Sequence, residues 1–389
     1  MRINLRISNI ISILVLHVGV ISLSYVHFDI YNKIIYLFNF IIGVFLLNKF
    51  KIFFKKKYFK INLCVLLYCI LIIISSLYNY KIENTVLKGI LYSIGILEIF
   101  LYFEYLDYID RVHNAIDIFY YISLVYVIIN DILMFMLPGF FSLRDNYLLG
   151  NKFSVCYLHL FVIIFYCAKN KKNNKLILLV YTVVFFCISI VTQCSTAIIA
   201  GIIMIVLLII PKNIRVRLYN PKTILIIAAI SSTFFIFISM ILSNKFVQYF
   251  VVNILKEDIT LTGRTRIYEN IMNIIYQSPW FGFGYGNSHE LLMKMIQAPN
   301  SQNGFLECII TSGIFSTMLL IVIIYKIFKS INKRAINSNT YFILGAVYIF
   351  IVLASIEITI NTSFIFLLAI LNVSTYIEDR NIKESRSNA

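Results

Sequence analysis

Residues able to handle charged or sugar-bearing ligands cluster between positions 244 and 315 of this 389-residue chain. Gly263-Arg264-Thr265-Arg266 sets two guanidinium groups around one hydroxyl. Arg presents a planar fork of donors that matches phosphate oxygens. With Arg144 and Lys152, these residues would form a cationic patch suited to a phosphorylated ligand or to anionic lipid headgroups. Further on, Trp280-Phe281-Gly282-Phe283-Gly284-Tyr285-Gly286 alternates aromatic residues with Gly. Glycines at every second position let the backbone turn tightly and approach a ligand closely. The aromatic rings suit a sugar face, or they simply anchor an interfacial turn. No strand precedes this run, so its GxGxG is not a nucleotide fingerprint. Gln302, Asn303 and Glu307 fall within about one turn of each other if a helix has begun there. They serve a site or satisfy backbone groups, and Glu307 stands out because ionisable groups at a membrane boundary are expensive.

The elements around these residues are apolar. The chain is 60% hydrophobic and 13% charged, against about 25% charged in soluble domains. The net charge of +16 does not point to nucleic acid, because Lys and Arg sit in short clusters between apolar runs, as topology signals do. A membrane crossing needs about 20 apolar residues, with about 17–25 allowed. Twelve candidates lie near 9–26, 33–48, 61–78, 86–104, 115–137, 153–168, 175–193, 195–211, 222–243, 304–326, 340–356 and 359–377. The seventh and eighth adjoin closely, and Glu357 splits the last pair.

With the N-terminus inside, Lys49 to Lys60, Lys169 to Lys172, Lys212 to Arg217 and Lys329 to Arg334 all fall on one face. By the positive-inside rule that face and both termini are cytoplasmic. The expected fold is an all-α polytopic bundle of about 12 spans. Residues 1–243 carry the first nine, 244–303 form one large outer loop, 304–377 carry the last three, and 378–389 are a cytoplasmic tail. A loop of that length is usually a lid or a binding surface.

Within it, Thr262 or Thr265 caps a helix on which Ile267, Ile271, Ile274 and Ile275 share a face. Ser278-Pro279 ends that helix. The seven Cys show no metal-ligand spacing, and no outer cluster of Asp and Glu is visible. Neither a metal nor a cofactor is expected.

In this order and spacing, the motifs resemble those of the O-antigen and capsule polymerase/ligase superfamily. The matching pieces are Gly263-Arg264-Thr265, Pro279-Trp280-Phe281-Gly282-Phe283-Gly284, Gln302-Asn303-Gly304-Phe305-Leu306-Glu307 and Thr311-Ser312-Gly313-Ile314. Arg144 with Gly150-Asn151-Lys152 resembles an earlier outer loop of the family. The resemblance implies an enzyme of the plasma membrane that joins oligosaccharide repeat units carried on undecaprenyl pyrophosphate. Its partners would be that lipid-linked oligosaccharide, membrane lipids, a flippase and a chain-length regulator, with no nucleic acid. Carried over, Arg264 and Arg144 would hold the pyrophosphate. Arg266, Gln302, Asn303, Glu307 and Asn151 would contact substrate, and the turn at Gly282 and Gly284 would shape the loop.

One departure matters. Ligase-type members have His where this chain has Gln302, and an amide cannot act as a base near neutral pH. That favours a polymerase over a ligase. A lipid-linked oligosaccharide flippase, the alternative of another class, would carry cationic residues along a path through the bundle. Here the apolar segments are almost uncharged and the charge gathers in one outer loop.

Overall fold

Lipid offers the backbone no hydrogen-bond partners, so long apolar runs satisfy themselves as helices. The computed structural model describes residues 2–23, 28–80, 85–136, 147–169, 174–211, 214, 217–218, 220–242, 244–249, 252–253, 264–331 and 340–373. The helices are α1 (Arg2–Gly19), α2 (Phe28–Leu47), α3 (Phe59–Tyr78), α4 (Thr85–Tyr108), α5 (Val112–Met136), α6 (Lys152–Lys169), α7 (Lys175–Val191), α8 (Ser195–Ile209) and α9 (Pro221–Leu242). Then follow α10 (Lys245–Tyr249), α11 (Arg264–Ile275), α12 (Ser288–Ile296), α13 (Gly304–Ser330) and α14 (Thr340–Leu353), and finally α15 (Thr362–Val373). Among the described residues the only β-type pairing is the isolated bridge between Tyr147 and Gly150. Among the described residues the fold is all-helical, that of a multi-pass membrane protein.

Each of the twelve apolar segments read from the sequence contains a helix among the described residues. Six helices (α2 to α6 and α13) are long and apolar enough to cross a membrane by themselves. The other six contribute shorter apolar stretches of 10–17 residues, among them Ile7–Gly19 and Pro221–Phe234. The two close pairs are distinct helices. Gln193, at positive φ (51°), turns the chain between α7 and α8. A non-helical stretch, 354–361, separates α14 from α15.

Burial follows composition. α15 is buried on every side from Phe364 to Val373, as expected of a helix that is apolar all round. Phe366 meets Phe103, Phe119 and Phe165 edge-on, joining α4, α5 and α6 at the centre. The outer helices turn Leu37, Phe40, Leu67, Ile129, Phe135, Leu179 and Ile226 outward, the surface that lipid would cover.

One end of the bundle gathers the joints that the charge pattern assigns to the outside. Ser22 Oγ donates to the Leu149 carbonyl at 2.9 Å, tying the segment after α1 to the turn before α6. Asn130 Oδ1 accepts from the Leu149 amide at 3.3 Å. Asn79, just after α3, donates to the Gly282 carbonyl at 3.1 Å.

Candidate functional site

α13 is not one continuous helix. At Gly313 the backbone has φ 81° and ψ 174°, a conformation open essentially to Gly alone. The interruption frees helical backbone groups, and the Gly-rich turn takes them. The Phe283 amide donates to the Ile310 carbonyl at 2.7 Å, and the Ile314 amide donates to the Pro279 carbonyl at 2.9 Å. Two sequence motifs some thirty residues apart are thus halves of one joint. Ser75 Oγ donates to the Thr311 carbonyl at 3.0 Å, which fixes α3 to the same break.

The glycines of the turn are packing positions. Gly282, Gly284 and Gly286 all have positive φ. A Cβ on Gly282 would lie 2.6 Å from the Ile310 carbonyl oxygen, and one on Gly284 would lie 2.4 Å from Thr85 Cγ2. The close backbone approach expected at these glycines therefore occurs against α13 and α4. Tyr285 stacks on Tyr92 with centroids 4.0 Å apart, and its burial pushes the phenol pKa well up. Trp280 stacks on Phe315 at 5.1 Å and remains half exposed.

The loop's two helices lie against this joint. On α11, Ile267, Ile271, Ile274 and Ile275 are all buried, the face that the spacing predicts. They form a small core with Leu292 of α12 and with Leu306 and Ile310 of α13. The helix ends at Ile275, ahead of Ser278-Pro279. Thr262 lies outside the described residues, and of Thr265 only the backbone is described.

At the start of α13, Asn303 is fully buried. Its Oδ1 caps the helix, accepting from Phe305 N at 3.0 Å and Leu306 N at 3.1 Å. Its Nδ2 donates to the Ser231 carbonyl at 3.0 Å and the Ser355 carbonyl at 3.4 Å. Four contacts fill both amide atoms and make Asn303 a helix cap and cross-brace. Gly304 N donates to the Ala354 carbonyl at 2.8 Å, fastening this motif to the non-helical stretch 354–361.

Glu307 Oε2 accepts from Ser301 N at 3.2 Å and Ser301 Oγ at 2.7 Å. The backbone of Gln302 is in the left-handed region (φ 53°), and its carbonyl accepts from Tyr268 OH at 2.8 Å. Arg266 Nη2 donates to the carbonyls of Ile296 and Gln297 at 2.9 and 3.2 Å. A cation is favourable at those C-terminal carbonyls of α12. Asn151 Oδ1 accepts from Ser154 N at 3.0 Å and caps α6, while Lys152 Nζ donates to the Gln193 carbonyl at 3.2 Å. Arg144 and Gly263 lie outside the described residues, and Arg264 is described only as the first backbone residue of α11.

Two cavities open at this end. The larger, of about 480 Å³, is lined by His17, Ser22 and Tyr31 from the first two helices, by Asn151 and Tyr157 of the α6 region, and by Asn300 and Glu357. The smaller, of about 220 Å³, is lined by Tyr92, Tyr285, Ser288, Glu307 and Thr311. Ile358 and Asn361 line both. Asn151 and Glu307, singled out in the sequence, line these cavities, and so does Glu357, which the sequence reading took only as a break between two apolar runs. Its signal was present, a carboxylate between two apolar runs. Among the described residues no group of three or more His, Cys, Asp or Glu side chains is placed to hold a metal ion.

Residues 177–321 match the model of the O-antigen ligase family. The match runs from α7 through residues 244–303 and past the Gly313 break. The match supports a place for this domain in the O-antigen ligase/polymerase superfamily. Enzymes of this superfamily are membrane proteins that act on lipid-linked sugars. No curated protein matches the sequence.

Proposed function

We propose that this chain is a glycan polymerase. It joins oligosaccharide repeat units carried on undecaprenyl pyrophosphate at the outer face of the plasma membrane, making a surface polysaccharide such as capsule or O-antigen. The observation that carries the reading is the family domain, whose residues 285–300 help to line two adjoining cavities. The larger falls within the range of about 300–1,000 Å³ usual for small-molecule sites.

The donor already has a good leaving group in the lipid pyrophosphate. The main task is stabilising the charge that develops on it, which positioned Arg side chains do well. Arg264 and Arg144 take that role in this reading. Aligning the acceptor hydroxyl with the anomeric carbon supplies much of the rest. Arg266 acts indirectly, by holding α12 against α11. Gly282 and Gly284 shape the loop through its joint with α13.

A ligase that moves finished glycan to another acceptor is the second reading, favoured by the description of the matched family. Gln302 in the place of the ligase His speaks for the polymerase. Deleting the gene in its native host and sizing the surface glycan separates the two. Single repeat units at the surface support the polymerase, and full-length chains left on the lipid carrier support the ligase. Unchanged surface glycan sinks both.

A further inference from the structure

A sugar hydroxyl that attacks an anomeric carbon loses its proton, and Gln302 cannot take it. The larger cavity holds two side chains of suitable chemistry, His17 and Glu357. His17 is tied at both ring nitrogens. Its Nδ1 donates to the Ile13 carbonyl at 2.8 Å, and its Nε2 lies 2.9 Å from Tyr126 OH.

Glu357 is placed differently. It sits on the non-helical stretch between α14 and α15, where side-chain position is set by the turn and not by a helix face. It is only 6% exposed and lines the cavity. The Ile358 amide donates to its Oε1 at 3.0 Å and holds the carboxylate in place. The same stretch forms the wall between the two cavities through Ile358 and Asn361. It is fastened to the family motif by the bonds from Gly304 N to Ala354 and from Asn303 Nδ2 to Ser355. Asn151 and Asn300, one from each outer loop, border the cavity that holds Glu357. Glu307 borders the other cavity, where Ser301 fixes it.

From this arrangement we infer that Glu357 is the catalytic base of the transfer, and that the larger cavity receives the acceptor sugar. The inference rests on the glycan-transfer reading above. The acceptor O–H gives its proton to the Glu357 carboxylate as the new C–O bond forms at the anomeric carbon. The bond from that carbon to the donor pyrophosphate oxygen breaks, and the lipid pyrophosphate departs with the electron pair. The carboxylic acid then returns its proton to water at the open side of the cavity.

The test uses the full-length protein in liposomes with lipid-pyrophosphate-linked repeat units as both donor and acceptor. Glu357→Gln keeps an oxygen to accept from the Ile358 amide, so the turn is preserved while the base is lost. The expected result is a fall in kcat of about 100-fold or more, the usual contribution of a positioned base. KM is expected to stay within about threefold, and the acid limb of the pH–rate profile to be lost. His17, Tyr31 and Tyr157 face the same cavity, so His17→Gln serves as the control and is expected to retain that limb.

If Glu357→Gln inserts poorly, Glu357→Gly assayed with added formate decides instead. Restored turnover supports the base, and its absence overturns it. Wild-type kcat in Glu357→Gln also overturns it, as does a loss of acid limb in His17→Gln alone. Wild-type protein that elongates normally while these variants fail the expectation leaves the polymerase reading intact. Wild-type protein that transfers glycan to no hydroxyl acceptor overturns both.

Discussion

Gly313 and Trp280 are in backbone contact: a Cβ placed on Gly313 would lie 2.0 Å from the Trp280 carbonyl oxygen. No side chain fits there, and the φ of 81° and ψ of 174° at Gly313 exclude one independently. Gly313→Ala is therefore expected to separate the Gly-rich turn from α13. A residue forced into such a conformation costs about 1–3 kcal/mol, and the clash adds to it. Gly282→Ala belongs to the same class, because its Cβ meets backbone at 2.6 Å. Gly286→Ala keeps the positive-φ strain but meets only the flexible Lys88 side chain, so it is expected to be milder. Thermal unfolding of the three variants in detergent checks this ranking. If Gly313→Ala melts with the wild type, this joint does not hold the turn.

That joint marks the limit of what the chain reveals before it folds. The helices were legible because lipid imposes self-satisfied backbone, so apolar length alone locates them. The buried face of α11 was legible because four Ile at helical spacing leave few other arrangements. The partner of the Gly-rich turn was not. Alternating Gly announces a close backbone approach but does not say whether a ligand or another helix makes it. Asn303 was open to two readings for a related reason. A polar side chain before an apolar helix signals a cap as readily as a contact, and here both of its amide atoms are taken by backbone. Glu357 was visible as a charge between apolar runs, but only the folded chain brings it beside Asn151 and Asn300.

Asn303→Ala is expected to reduce stability more than substrate affinity. Losing a cap costs about 0.5–2 kcal/mol, and the carbonyls of Ser231 and Ser355 lose a buried donor as well. A cost of about 2 kcal/mol or more is expected in all. Unfolding midpoint and KM, measured on the same preparation, separate the two roles. An unchanged midpoint with a raised KM returns Asn303 to the substrate.

Arg264→Lys is expected to damage polymerisation nearly as much as Arg264→Ala, with normal insertion of both variants. A point charge does not replace a forked, two-donor contact with pyrophosphate. Glycan length in strains carrying each variant is the measurement. Wild-type length with Lys assigns Arg264 to surface charge.

The clusters of Lys predict that residues 49–60 face the cytoplasm and 244–303 the outside. Lys56 and Glu290 are both exposed, so a Cys at either site is open to a thiol reagent on its own side of the membrane. The background must lack the native thiols, since Cys187 is exposed as well. A membrane-impermeant reagent added to intact cells is expected to label Glu290→Cys and not Lys56→Cys. The reverse pattern would invert the bundle and place the cavities on the wrong face for the proposed chemistry.

Gln302→His tests whether the position itself wants a base. Gln302 stands in the left-handed region, with its carbonyl held by Tyr268 and its amide donating to Asn300 Oδ1 at 3.0 Å. The backbone here is fixed by neighbours, so a His side chain enters without rebuilding the turn. If the missing imidazole limits the reaction, Gln302→His raises activity, above all toward acceptors other than the native repeat unit. If charge stabilisation on the pyrophosphate dominates and the proton goes elsewhere, the substitution is neutral or harmful. The second outcome is expected, because a good leaving group lessens the demand for a base at this position. Glycan length in Gln302→His and Gln302→Ala strains measures it. A gain confined to the His variant would move the chemistry back to this motif and favour the ligase.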